Sequence, residues 1–296
     1  MISTRIERLV IPARTLRAVL AGFLILVATG TLAWGLYTYN TPVDLQDVFL
    51  PTARHVLAGG NPYDMPGFYG PPWALIPALL VARLPDRAAY AAHGVLSIAA
   101  LLTFLYLQKV PGLKAIPLLL SVPVLCGVLC GNLEPFVLLA LVVPRPAGLI
   151  LLAMKPHIGC VLAFYWVLDE TRERGAEGIF RLLWPACALT AATIGLYGFW
   201  PLTWLEAADA CTGWNWNVWG LSPWWHVFSL GIPWAVFALY KEREDMALSA
   251  GPILSPYTNV YGFTSWLPFM TTWPAWATWA MCLLTWLLLL TLAIQT

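Results

Sequence analysis

The chain has 296 residues, of which 60% are hydrophobic and only 10% charged, and its formal net charge is +1. Soluble domains carry roughly 45–50% apolar and about 25% charged residues, so this composition excludes an ordinary water-soluble fold. The near-zero charge, with no basic run and no zinc-finger spacing, gives no ground for a nucleic-acid partner. The expectation is an all-α, polytopic integral membrane protein, with residues 1–296 forming one membrane domain.

Residues 1–17 carry Arg5, Arg8, Arg14 and Arg17 against one acid, Glu7, with Ile2, Ile6, Leu9 and Val10 at helical spacing. This predicts a basic interfacial helix on the cytoplasmic face. A span over 18–39 follows. No small-residue cleavage site ends it, so it reads as an anchor of the plasma or inner membrane and not as a signal peptide. Residues 40–70 then form a first external loop.

Further candidate spans are 71–84, 88–107, 115–130, 133–143, 147–168, 182–200, 223–240, 250–270 and 273–294, for a total of roughly eight to ten. Several are short, and Pro77, Pro117, Pro123, Pro135, Pro144 and Pro156 interrupt them. Broken helices are tolerated in a membrane where the freed backbone lines a protein cavity, so the centre of the chain is expected to surround one. Two charged stretches, Asp169 to Arg181 and Lys241 to Asp245, read as cytoplasmic loops. They leave 201–222 as a Trp-rich external loop. Five of the six cysteines lie in apolar segments and read as small hydrophobes, and no metal is called for.

The first external loop concentrates the charge. Thr41-Pro42-Val43-Asp44 predicts a helix start, with Thr41 as cap and Asp44 completing a capping-box-like pattern; Gly59-Gly60 predicts the stop. Between them Phe49, Ala53, Val56 and Leu57 form an apolar stripe, with Asp44, Asp47, Arg54 and His55 near the other face. The loop therefore holds an external amphipathic helix bent at Pro51. Asp44 reads mainly as a cap and Asp64 as a turn residue. Asp47 sits mid-helix, where no capping role explains it.

The run Asp47, Ala53, Leu57, Gly59-Gly60, Asn61-Pro62-Tyr63-Asp64 and Tyr69-Gly70-Pro71-Pro72 resembles the first-loop signature of GT-C fold glycosyltransferases. Within them it is similar to the family 87 polyprenol-phosphate-mannose-dependent mannosyltransferases. Gly131-Asn132-Leu133-Glu134 resembles that family's "GN/GQ" element, and Ala147-Gly148 to Met154-Lys155-Pro156-His157 its "AG…KP" element. Asn217-Val218-Trp219 resembles a later asparagine loop, and Ser255-Pro256-Tyr257 to Tyr261 the "SPY…YD" element. The resemblance implies a GT-C-like helical bundle and a catalytic base in the first loop. Asp47 matches that position best, with Asp44 the alternative. Two departures stand out: Gly262 occupies the place where an acid often follows the tyrosine, and the chain is shorter than the family implies.

Lys155 is the leading candidate outside the first loop. A lysine at the membrane centre costs about 2.5–3.5 kcal/mol on insertion scales, and Glu134 is the acid placed to pair with it. A cation there could hold a lipid phosphate; either Arg54 or Lys155 would stabilise it as it departs, and His157 could assist. Trp216 and Trp219 flank Asn217 and could stack on a sugar or a prenyl chain; Tyr257 completes the substrate-binding set.

Together these imply an inverting glycosyl transfer from a polyprenyl-phosphate sugar to a lipid or glycan acceptor at the extracytoplasmic face. Asp47 would act as general base, membrane lipids would surround the bundle, and no cofactor is needed beyond the donor itself. The alternative is a non-catalytic GT-C-like subunit or lipid-binding scaffold of a membrane protein complex.

Overall fold

The computed structural model describes residues 44–210, 227–255 and 259–295, and every regular element among them is helical. The expected basic helix 1–17 and span 18–39 lie outside the described residues.

The first-loop helix begins as a wide π-type turn, Leu45–Phe49, and continues as α1, Leu50–Leu57. The switch follows from Pro51, which has no N–H to donate and whose ring crowds the carbonyl four residues back. The widened turn changes which side chains face inward. Leu45, Leu50 and Ala53 are buried, whereas Leu57 of the expected stripe is exposed. Gly59 ends the helix with φ 89°, a left-handed conformation that favours glycine.

Beyond a 3₁₀ turn at Pro72–Leu75 come α2 (Ile76–Val81), α3 (Asp86–Leu107), α4 (Gly112–Leu119), α5 (Val122–Leu129) and the short α6 (Glu134–Val137). Next are α7 (Arg145–Ala153), α8 (Pro156–Tyr197), α9 (Trp200–Ala210), α10 (Ile232–Tyr240) and α11 (Glu244–Leu254). A 3₁₀ segment, Val260–Trp266, leads into α12 (Leu267–Thr271) and α13 (Ala275–Gln295). Among the described residues α3 and α8 are long and apolar enough to cross a membrane, and α4 with α5 make a third if that pair, bent by 60°, counts as one span. By length and composition, these two or three helices could cross a membrane. Of the other expected spans, 273–294 corresponds to α13, a 21-residue helix without an internal proline, and the rest are short or proline-interrupted pieces.

The stretch Asp169 to Arg181, expected as a loop, is helical apart from a tight break. Two helical halves of α8 meet at Gly175, whose φ of 61° and ψ of −142° are not helical, and Gly178 packs against the Glu170 carbonyl. Ion pairs one turn apart, Arg174 with Glu170 at 3.0 Å and Arg181 with Glu177 at 2.6 Å, support the helix here. The core forms where α7 and α11 pack on the first half of α8. Ile158, Leu162 and Trp166 are buried there, and Gly251 lies against the Ile158 carbonyl with no space for a Cβ.

One end of this core is closed by charge. Arg145 reaches Asp169 at 2.6 Å, Glu244 at 2.9 Å and Glu170 at 3.4 Å, tying α7 to α8 and α11. The Trp166 indole N–H also donates to Glu244, at 2.9 Å.

Candidate functional site

The site forms at the other end of α7. Lys155 occupies the junction of α7 and α8 with φ −135° and ψ 78°. Pro156 explains this backbone, because a residue before proline is driven out of the helical region. Freed from both helices, the Lys155 ammonium pairs with Glu134 Oε1. It also lies 4.7 Å from the centroid of the Tyr261 ring, within cation–π range. Glu134 opens α6 and is almost fully buried at 1% exposure.

Asp44 joins from the first loop. The Leu45 N–H donates to the Cys130 carbonyl at 3.1 Å, anchoring the start of the π-type turn on the end of α5. Gly131 makes that approach possible: its φ is 70°, and Leu45 fills the space a Cβ would need. The next residue, Asn132, then donates from Nδ2 to Asp44 Oδ2. Its Oδ1 accepts the Leu133 N–H at 2.7 Å, which fixes the amide's orientation. Tyr261 also hydrogen-bonds the Asp44 carboxylate, and Asn259 Nδ2 donates to the Tyr261 hydroxyl at 3.0 Å.

Asp44, Asn132, Glu134, Lys155 and Tyr261 thus form one polar network inside an apolar chain. Burial pushes the Asp44 carboxyl above its ordinary pKa. The Lys155 charge and the hydrogen bonds from Asn132 and Tyr261 oppose that shift, while the Asp47 charge adds to it.

The other expected site residues separate into three groups. Asp47 is exposed, one turn along from Asp44 on the same element. Arg54 is engaged elsewhere: Nη1 pairs with Asp86 at 2.6 Å, while Nε and Nη2 donate to the carbonyls of Ala82 and Leu84 at 3.0 and 2.9 Å. It therefore joins α1 to the α2–α3 connection and not to the Lys155 network. His157 is exposed, and the first-loop His55 stands 3.4 Å from Asp64. Trp216, Asn217, Trp219 and Tyr257 lie outside the described residues. Tyr261, which the sequence marks only as the end of the "SPY…Y" run, is the tyrosine that meets Asp44 and Lys155.

Comparison with protein-family models, with curated proteins and with solved structures gives no match. The functional reading therefore stands on this geometry and on the motif resemblance.

Proposed function

We propose that the chain transfers a glycosyl group, with inversion, from a polyprenyl-phosphate sugar to a lipid or glycan acceptor at the extracytoplasmic membrane face. The observation that carries this reading is the meeting of Asp44 and Asn132, 88 residues apart, beside Lys155. An anionic lipid headgroup needs a cation, and Lys155, little exposed and set in an apolar surround, is suited to supply it. Glycosyl transfer needs a carboxylate within reach of the acceptor hydroxyl, and the first loop supplies two. Asp47, which is exposed, takes the hydroxyl proton as the oxygen attacks the anomeric carbon; Asp44, one turn back on the same element and bound into the network, is the alternative base. The bond from the anomeric carbon to the phosphate oxygen breaks, and Lys155 stabilises the departing phosphate. Lys155 is preferred over Arg54 for this task because Arg54 is committed to Asp86 and two carbonyls. Donor-dependent labelling of an acceptor by the purified protein tests the reading.

A second reading, a non-catalytic subunit or lipid-binding scaffold, is favoured by one observation. Gly262 is buried directly after Tyr261, so no acid follows the tyrosine that borders the network. That reading requires lipid binding without transfer, and stoichiometric co-purification with a membrane partner.

A further inference from the structure

The Lys155–Glu134 pair leaves one atom unaccounted for. Glu134 Oε1 holds the ammonium, but Oε2 is buried with no hydrogen-bond partner among the described residues. A buried carboxylate oxygen without a donor is costly, and such atoms are rare in native folds unless water or a ligand completes them. We infer that Glu134 is the sugar-recognising carboxylate of the site, accepting hydroxyl hydrogens of a glycosyl phosphate while Lys155 takes its phosphate.

The inference rests on the glycosyl-phosphate reading and extends it to the headgroup. The two charges neutralise one another through Oε1 alone, and Tyr261 covers the ammonium. A ligand that carries only a phosphate would draw Lys155 away and strand the Glu134 charge in an apolar surround. A ligand that carries only hydroxyls could reach Oε2 but would leave Lys155 in place. A glycosyl phosphate offers both an anion and adjacent O–H donors. It exchanges one buried ion pair for two compensated contacts, so neither charge is left bare. The Lys155 side chain, 12% exposed against 1% for Glu134, is the side from which such a ligand enters. Selectivity follows from the same chemistry, since a site built to bind a hydroxyl discriminates against an analogue without one.

The test compares three lipids of one polyprenol on the purified full chain: the phosphate mannosyl ester, the phosphate glucosyl ester, and the phosphate methyl ester. The methyl ester keeps the single negative charge and lacks the hydroxyls. Wild type is expected to bind at least one hexosyl lipid roughly tenfold tighter than the methyl ester. Glu134→Gln should abolish that preference while leaving methyl-ester binding unchanged or tighter, because Lys155 loses its counter-ion. Glu134→Asp keeps the charge but withdraws it by one methylene, and should lose the preference as well. Equal binding of all three lipids by wild type, or a hexose preference that survives in both variants, overturns the role of Glu134 alone. Binding of none of the lipids by wild type overturns the glycosyl-phosphate reading and this inference with it.

Discussion

The Lys155 ammonium and the Glu134 carboxylate form an ion pair across the junction of α6, α7 and α8, with the acid 1% and the base 12% exposed. Neither group can be removed alone without leaving a charge in an apolar surround. Lys155→Met is expected to cost about 3–5 kcal/mol of stability, the usual penalty for breaking a buried pair. Lys155→Met combined with Glu134→Gln should recover most of that loss and still fail to bind a polyprenyl-phosphate lipid. Denaturation of the detergent-solubilised variants in a double-mutant cycle measures the coupling. Additive losses in the cycle would show that the two side chains do not depend on each other.

Asp44 gives a pH dependence whose sign is fixed. Burial raises its folded pKa above the ordinary 3.8, so the folded state holds this proton more tightly than the unfolded state. Its contribution to stability is fully present below the ordinary value and is lost as pH rises through the raised one. Asp44→Asn removes the ionisation and keeps an oxygen for Asn132. The variant's melting temperature, relative to wild type, should therefore be higher at neutral pH than near pH 4. Melting curves at the two pH values check this, and a difference that does not change with pH contradicts it.

Arg145 separates stability from chemistry. It holds Asp169, Glu170 and Glu244 at the start of α7. The nine residues of that helix put it about 14 Å from Lys155. Arg145→Met should destabilise the fold by about 3 kcal/mol, since it leaves Asp169 and Glu244 without their cation while Glu170 keeps Arg174. Arg145→Lys should restore only part of that, because an ammonium cannot fork between carboxylates as a guanidinium does. Lipid binding at low temperature should be retained in both. Thermal unfolding and lipid binding, measured on the same samples, provide the comparison.

The parts of the site that could be read from sequence were those with a local cause. An acid and a lysine in apolar surroundings have to neutralise each other, and Lys155 does meet Glu134. The proline after Lys155 marked a break, and the break is there. Asp44 was harder. Its neighbours fit a helix start, so a cap was the nearest explanation, but its carboxylate is bound by Asn132, 88 residues away. No local pattern encodes that contact; it depends on Gly131 letting Leu45 approach the end of α5. The Arg145 node is invisible in the sequence for the same reason, since its acids come from α8 and α11. The charged stretch after Val167 looked like a loop by composition. Its ion pairs keep it helical on both sides of Gly175.

The central claim is that a first-loop carboxylate activates the acceptor in a glycosyl transfer from a polyprenyl-phosphate donor. The most direct measurement is the single-turnover rate of sugar transfer to acceptor by purified wild type, Asp47→Asn, Asp44→Asn and the double variant. Transfer by wild type, with a fall of roughly a hundredfold or more in Asp47→Asn, is the expected result. A wild-type rate preserved in all three variants would contradict the account.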